Sequence, residues 1–309
     1  MSTERIQTTN EGVLSLNGSL RELELGGWTV NCSTSEAIIP DNSIQQARAL
    51  VMRWSTVFPE ENTWVRTNLG IPSLIIRLDA TINGNGLEIY EIEERPAGIG
   101  ISYALNEEFR MRLDSIKKTW PPFDVVISKQ RRGSDDALWT NVTDLETASG
   151  LILARAEPDE TDFHEIESKL VSSLRRKGDK SYGLQLGMWD KVHSQTDLNW
   201  ETPFVLKPLQ GSKTRDVQIW HPQELRGRST KSKISRVLDQ HSEGMYRQPF
   251  HPPVELKLNG ETYYMIYRVF FGYNLENHNW EYLSGLWNAR PNLKIHGASD
   301  AIFGPIKSQ

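Results

Sequence analysis

Residues 73–94 have the sequence Ser73-Leu-Ile-Ile-Arg-Leu-Asp-Ala-Thr-Ile-Asn-Gly-Asn-Gly-Leu-Glu-Ile-Tyr-Glu-Ile-Glu-Glu94. Two runs in this stretch, Ser73–Asp79 and Leu87–Glu93, have the composition of β-strands. Asn83-Gly-Asn-Gly86 separates them, and Asn and Gly accept the positive φ angles of a tight turn. The stretch therefore predicts an antiparallel hairpin.

Four charged side chains of this hairpin are predicted to meet on one face. Because side chains alternate along a strand, Arg77 and Asp79 share a face of the first strand, and Glu91 and Glu93 share a face of the second. Three carboxylates at one place repel each other unless a cation lies among them. This arrangement favours Mg²⁺ shared with phosphate groups, and the alternative is a solvated hairpin with scattered surface acids.

The turn after the hairpin, Arg95-Pro-Ala-Gly-Ile-Gly100, is rich in glycine. Glycine lets backbone come close to another group, so we expect this turn to approach a ligand.

The composition excludes several classes of protein. The chain has 309 residues and a net charge of -5, which disfavours general affinity for nucleic acid. No run approaches the roughly 18 apolar residues of a membrane helix, and the N-terminus lacks the apolar core of a signal peptide. Cys32 is the single cysteine, which excludes an internal disulfide and a thiolate metal cluster. We expect a cytoplasmic protein that binds neither nucleic acid nor membrane.

Residues Arg226–Arg236 contain five basic side chains and no acidic one. The stretch is interpreted either as a solvated, mobile loop or as a loop that closes over phosphates.

The remaining pattern mixes helices and strands. The first 24 residues are polar and are predicted to be peripheral. Helices are predicted at 43–58, 107–120 and 163–176, and further strands at 123–128, 150–154, 203–208, 216–220, 245–250 and 263–273. Antiparallel hairpins among alternating elements indicate an α+β or mixed α/β fold, not a simple parallel sheet.

A second chemical signal is Val205-Leu-Lys-Pro-Leu-Gln-Gly-Ser-Lys213. A lysine on a strand before a flexible loop can reach nucleotide phosphates, although no P-loop motif occurs in the chain and a structural lysine is the alternative. The later strand Tyr246-Arg-Gln-Pro-Phe250 ends in a proline-bearing break that could meet an adenine edge. Both segments are consistent with a nucleotide site.

Two further arginines suit phosphoryl or acyl-phosphate charge. Arg268 ends the aromatic strand Tyr263-Tyr-Met-Ile-Tyr-Arg268, and Arg290 ends Gly285-Leu-Trp-Asn-Ala-Arg290, which is interpreted as a turn led by glycine.

The order of these motifs resembles ATP-grasp ligases of the glutathionylspermidine synthase type, in which the motif order is permuted. The resemblance rests on Arg77-x-Asp79, the hairpin with Glu91-x-Glu93, Lys207-Pro-Leu-Gln-Gly211 and Gln248, and on Lys180 in Asp-Lys-Ser-Tyr-Gly-Leu-Gln-Leu-Gly-Met-Trp189. It spans roughly residues 70 to 305 with gaps. Glu93 departs from the family, which has asparagine at that position, so the number of metal ions is left open.

The resemblance implies a role for each of these residues. The implied catalytic residues are Arg77 and a second arginine, either Arg290, which we favour, or Arg268. The implied ATP-binding residues are Lys180, Lys207, Gln248 and Gly211. The implied Mg²⁺ ligands are Asp79, Glu91 and Glu93.

The resemblance also implies the fold and its division into domains. The expected fold is α+β of the ATP-grasp type, with two subdomains that hold the nucleotide. The expected segments are an N-terminal segment 1–65, the acidic metal-binding hairpin 66–105, a small α/β layer 106–178 and the nucleotide-binding and catalytic part 179–309.

The implied activity joins a small-molecule or peptide carboxylate to an amine and cleaves ATP to ADP and phosphate. The alternatives are a kinase or phosphotransferase on the same fold and a nucleotide-binding protein without catalysis. At 309 residues the chain is short for this family, which leaves open whether a homodimer or a partner chain completes substrate recognition.

Overall fold

The computed structural model describes residues 7–8, 14–15, 20–24, 29–57, 73–83, 86–94, 96–129, 135–144, 146–148, 151–155, 182–209, 216–222, 227–258, 260–295 and 300–309. Their fold is mixed α/β, with more residues in strands than in helices. Contacts divide the chain into a larger unit, Met1–Met52, Glu61–Arg175 and Pro253–Gln309, and a smaller unit, Arg53–Glu60 and Arg176–Pro252.

The described strands, in chain order, are β1 (Gln7–Thr8), β2 (Leu14–Ser15), β3 (Leu20–Glu24), β4 (Thr29–Ser33), β5 (Ala37–Ile39), β6 (Ile75–Asn83), β7 (Gly86–Glu94), β8 (Phe123–Ile127), β9 (Leu151–Arg155), β10 (Asp190–Val192), β11 (Phe204–Pro208), β12 (Gln218–Trp220), β13 (Met245–Pro249), β14 (Val254–Leu258), β15 (Glu261–Asn274), β16 (Asn279–Arg290) and β17 (Ile302–Ser308). The described helices are α1 (Asp41–Thr56), α2 (Ile99–Leu105), α3 (Glu107–Lys117), α4 (Tyr182–Gln185) and α5 (Gly227–Gln240).

The larger unit is built on one sheet, eleven-stranded in its described part, with the order β1-β2-β14-β15-β16-β17-β4-β3. Strand β6 pairs with both β15 and β7, and β5 pairs with β17. Most of the pairs are antiparallel, but β17 pairs in parallel with β4 and β5, and β14 pairs in parallel with β2. A separate parallel pair, β8 and β9, belongs to the same unit.

The predicted hairpin is confirmed. Strands β6 and β7 pair in antiparallel register, with Arg77 opposite Glu93 and Asp79 opposite Glu91. Between Asp79 and Ala80 the register shifts, because Tyr90 is an extra residue on β7. This β-bulge leaves the acidic residues of β7 on the same face as Arg77 and Asp79.

A second register shift lies between β15 and β16, at Phe270 and Phe271. Here Ser284 has φ 85, a conformation that is uncommon for a residue with a Cβ. Its Oγ donates to the Ile306 carbonyl (2.9 Å) and accepts from Asn106 Nδ2 (3.0 Å). These two bonds hold the bulge in place.

Helices α2 and α3 cover one end of the sheet face that carries Arg77. Phe270, opposite Arg77 in register, packs edge-on against Phe109 of α3 with ring centroids 5.2 Å apart. The buried cluster around this pair also contains Ile99 and Leu113. This apolar packing fixes the two helices over one part of the sheet face. The charged residues of the face, including Arg77, lie next to this apolar part.

The smaller unit contains a four-stranded antiparallel sheet of order β10-β13-β11-β12. Helix α5 covers one face through Ile234, Val237 and Leu238, which share a buried cluster with Phe204 and Leu206 of the sheet.

Two predictions about elements are wrong. The basic stretch is not a loop, since α5 begins at Gly227 and continues to Gln240. Residues 285–290 are not a turn, because they form the end of strand β16. The described strands of the first 24 residues lie at the two ends of the large sheet, as expected for a peripheral segment. The helix predicted at 163–176 lies outside the described residues.

Candidate active site

The hairpin places Asp79 against the guanidinium of Arg77. Arg77 Nε donates to Asp79 Oδ1 at 2.5 Å, and its Nη2 donates to Oδ2 at 2.9 Å. Both residues are buried. A bidentate pair of this kind fixes the planes of both groups as well as their distance.

Arg77 also binds two groups from later in the chain. Its Nη2 lies 3.0 Å from Glu93 Oε2, and its Nη1 donates to the Ala97 carbonyl at 2.6 Å. Burial acts to lower the pKa of Arg77, but Asp79 and Glu93 together raise it above its ordinary value. The guanidinium therefore stays charged and fixed.

Arg268 joins this group from strand β15. It stands opposite Asp79 in register, its Nε is 3.8 Å from Asp79 Oδ2, and 6% of the residue is exposed. Burial, and then the charge of Arg77, lower the pKa of Arg268 to about 10. Arg268 Nε is buried and has no hydrogen-bond partner among the described residues, so one donor of this cation is left for another acceptor.

We call this group the arginine–carboxylate cluster; it consists of Arg77, Asp79, Glu91, Glu93 and Arg268. The predicted convergence of the acids on the face of Arg77 is confirmed by the register, and a second guanidinium is added to it. Three carboxylates and two guanidinium groups leave one net negative formal charge, so the group is nearly neutral without an added ion.

The donor chemistry fits a hard divalent cation, because carboxylate oxygens of Asp79, Glu91 and Glu93 share one sheet face. The side chain of Glu93 is 31% exposed, so at least one of these acids is open to solvent. Within the described residues, no group of three or more His, Cys, Asp and Glu side chains is placed to hold a metal ion. The Mg²⁺ site stays a prediction.

Arg290 lies elsewhere on the same sheet and has other partners. Its Nε and Nη2 donate to the Asp300 carboxylate at 2.8 and 2.9 Å, and its Nη1 donates to the Lys294 carbonyl at 2.8 Å. Leu286 faces Arg268, and Arg290 is four residues farther along β16, about 13 Å at strand spacing. Of the two candidate arginines, Arg268 is the one beside Arg77.

In the smaller unit, Lys207 and Gln248 share a sheet face. Lys207 stands opposite Tyr246 and Val205 opposite Gln248, so the predicted lysine and glutamine are diagonal neighbours on β11 and β13. Both are buried. Helix α5 packs on the other face of this sheet, so Lys207 is not part of the core beneath that helix.

Lys207 lies over the ring of Trp189, which belongs to a group of three aromatic rings. Its Nζ lies 5.1 Å from the ring centre of Trp189, which packs against Tyr182 and Tyr246 with centroid distances of 5.2 and 5.4 Å. Trp189 Nε1 is buried and has no hydrogen-bond partner in the described part of the chain. The motifs in the sequence did not indicate these aromatic residues, although Trp189 ends the segment that contains Lys180 and Tyr246 begins the segment that contains Gln248.

Two predicted ATP-binding residues, Lys180 and Gly211, lie outside the described residues. The glycine turn after the hairpin is described in part, and there the ligand interpretation is wrong at Gly100. A Cβ at Gly100 would lie 1.6 Å from the Asp135 carbonyl oxygen, and Gly100 N donates to Asp135 Oδ2 at 2.8 Å. Gly100 therefore allows close approach of a short 3-10 helix of the same chain, Asp135–Leu138.

No helix among the described residues has the length and apolar character needed to cross a membrane.

Comparison with known proteins gives little further support. No family model matches the sequence, and no curated protein matches it significantly. Among solved structures, the chain is similar to a glutathione synthetase-like effector from Globodera pallida in its apo form, with a TM-score of 0.45 and 8% identity over 91% of each chain. At this TM-score the likeness carries no argument about activity. Any proposed function therefore rests on the geometry of the arginine–carboxylate cluster and of the residues around Lys207.

Proposed function

We propose that the chain is an ATP-dependent ligase of the ATP-grasp type, which joins a carboxylate to an amine through an acyl-phosphate. The arginine–carboxylate cluster carries this proposal. Buried guanidinium groups held by carboxylates are fixed dipoles and charges, and fixed charges stabilise a transferring phosphoryl group without reorganisation.

Within this proposal Arg77 and Arg268 have different tasks. Arg77 donates to Asp79 and to the Ala97 carbonyl and forms an ion pair with Glu93, so it orients the acids and adds positive charge to the site. Arg268 Nε has no hydrogen-bond partner among the described residues, which makes it the better donor to an acyl-phosphate oxygen. Arg290 is the weaker candidate, because Asp300 and the Lys294 carbonyl accept from three of its nitrogens.

Asp79, Glu91 and Glu93 are the residues that would hold Mg²⁺. When bound, the ion would neutralise phosphate charge and orient the phosphates. Arg77 holds Asp79 on both oxygens, whereas it pairs with Glu93 through one oxygen only.

The smaller unit would bind ATP through Lys207 and Gln248. Lys207 would supply a charge to the phosphates, and Trp189 Nε1, a buried donor without a partner among the described residues, supports an acceptor at this place.

A second candidate function is nucleotide binding without catalysis. It is favoured by the occupation of both Asp79 oxygens by Arg77 and by the lack, in the described residues, of three metal-binding side chains gathered at one place. A kinase or phosphotransferase on the same fold remains the alternative if ADP forms without a new amide.

The test measures ADP and amide formation by the purified chain with ATP, Mg²⁺ and panels of carboxylates and amines. The ligase proposal expects ADP release that needs both substrates and equals the amide formed. ADP with phosphorylated acceptor would indicate the kinase, and ATP binding without turnover would indicate the binding protein.

ATP binding by Lys207→Met tests the nucleotide site separately. The substitution keeps the apolar stem and removes the charge, so ATP affinity should fall about tenfold or more, since a charge-assisted contact contributes roughly 1.5–3 kcal/mol. Lys233→Met, an exposed lysine on α5, is the matched control and should bind ATP like the parent. If Lys207→Met also binds ATP like the parent, the ATP-binding assignment is wrong.

A further inference from the structure

Two tryptophans of the smaller unit present their ring faces to a single ammonium group. The rings of Trp200 and Trp220 have centroids 5.1 Å apart and stand at 88° to each other. Lys231 Nζ lies 5.0 Å from the first centroid and 5.4 Å from the second. The two indoles form an aromatic corner that already contains a cation.

Hydrogen bonds hold both indoles independently of the lysine. Trp200 Nε1 donates to the Gln195 carbonyl at 3.2 Å, and Trp220 Nε1 donates to the Trp200 carbonyl at 3.0 Å. Phe204 packs edge-on against Trp200 with a centroid distance of 5.8 Å. The corner should therefore keep its shape when Lys231 leaves it, and such preformed shape favours binding.

Lys231 is held loosely compared with the rings. The residue is exposed, and no carboxylate in the described part of the chain pairs with it. An exposed cation–π contact is weak and shifts an equilibrium by a factor of only about two to five. Ile234, Val237 and Leu238 of α5 are buried against the sheet independently of Lys231, so the helix should stay in place when the lysine side chain rotates away.

We infer that the corner of Trp200 and Trp220 is a binding site for a small quaternary ammonium group, which Lys231 occupies when no ligand is bound. A quaternary ammonium has no N–H groups that need hydrogen bonds, and its charge is spread over methyl groups that contact ring faces, so two perpendicular indoles suit it better than they suit a primary ammonium. The inference does not depend on the proposed ligase activity.

The experiment titrates choline into Lys231→Ala protein and follows the indole N–H signals of the ten tryptophans by NMR. Substitution of single tryptophans by phenylalanine assigns the signals. Choline should shift the Trp200 and Trp220 signals saturably, and its Kd should be about two- to fivefold lower in Lys231→Ala than in the parent, because the internal competitor is absent. Lys233→Ala, on the same helix, should behave like the parent.

A neutral probe decides whether charge is recognised. 3,3-Dimethyl-1-butanol has the shape of choline with carbon in place of the charged nitrogen, so its Kd should be higher than that of choline by at least the factor of about two to five that a cation–π contact contributes. The inference is overturned if choline causes no saturable shift in Lys231→Ala, or if the neutral isostere binds equally well.

Discussion

Arg268 lies opposite Asp79 on neighbouring antiparallel strands, with its Nε 3.8 Å from the same carboxylate that accepts two hydrogen bonds from Arg77. One buried acid thus lies between two buried guanidinium groups. Because neither arginine can readily lose its proton near neutral pH, the charge of Asp79 is needed to offset both.

Asp79→Asn should lower the free energy of unfolding by about 3–5 kcal/mol, since it removes the partner of a buried charge. Glu93→Gln is the matched control. Its side chain is 31% exposed, so water screens the loss and the cost should stay below about 1 kcal/mol. Denaturant unfolding of both variants measures the difference, and equal costs would contradict the central role of Asp79. Because a change at Asp79 is expected to destabilise the fold, Glu91→Gln is a cleaner test of Mg²⁺ dependence than any change at Asp79.

Gly285→Ala should destabilise the sheet beside Arg268. A Cβ at Gly285 would lie 2.0 Å from the Arg268 carbonyl oxygen, so β16 would have to move from β15, at a cost of about 1–3 kcal/mol or more. Gly260→Ala is the control: its φ is +83 but nothing lies within 4 Å of the added Cβ, and the backbone strain alone should cost about 1 kcal/mol. A thermal or denaturant melt in which Gly285→Ala is the more stable variant would refute the close approach.

Asn106→Asp should destabilise the protein in a pH-dependent way. Asn106 Nδ2 lies within hydrogen-bond distance of the Gly285 and Ile306 carbonyls (2.8 and 2.7 Å), while Oδ1 accepts from Phe109 N and caps α3. The substitution keeps the cap but sets a carboxylate against two carbonyls, so the unfolding free energy should fall by at least about 1–3 kcal/mol at pH 7.

Protonation of the new carboxyl restores one donor. Its pKa should be higher in the folded than in the unfolded chain, so the lost stability returns as the pH falls below the folded value. Asn106→Ala has no titrating group and should show no such recovery. A parallel pH dependence of the two variants would argue against the bonding assigned to Asn106.

Cys32 should react slowly with thiol reagents in the folded protein. The side chain is 0% exposed, and burial raises the pKa of its thiol from 9.0 to about 11. The folded state therefore favours the neutral thiol. The stability that this preference contributes is fully present below pH 9 and is lost as the pH rises through 11. Unfolding midpoints of the parent should fall more between pH 8.5 and 10.5 than those of Cys32→Ala, and rapid labelling of the native chain at pH 8 would contradict the burial.

The acidic hairpin could be predicted because its signals are local. The Asn-Gly turn and the flanking runs lie within residues 73–94, and the pairing they form is also local. The position of Arg268 depends instead on the pairing of β15 with β6, which joins distant parts of the chain. Sequence alone therefore could not decide between Arg268 and Arg290.

Strand β16 was missed for a related reason. A glycine at position 285 is typical of a turn, but here it allows close contact between two strands. The bulge at Ser284 also interrupts the alternation that marks a strand. Helix α5 was missed because its Ser, Thr and Lys content resembles a loop, although Ile234, Val237 and Leu238 have helical spacing and form its buried stripe.

The extra residue Tyr90 divides the hairpin into two parts, and side chains alternate between the two sheet faces separately in each part. An insertion in a strand normally turns every later side chain to the opposite face, but here Ala80 still faces Ile89 and Asp79 still faces Glu91 on either side of it. The acidic half of the hairpin therefore keeps its own register, with Arg77 opposite Glu93 and Asp79 opposite Glu91. Changes in length on the turn side of Tyr90, whether by evolution or by design, can therefore be tolerated without turning Glu91 and Glu93 away from the arginines.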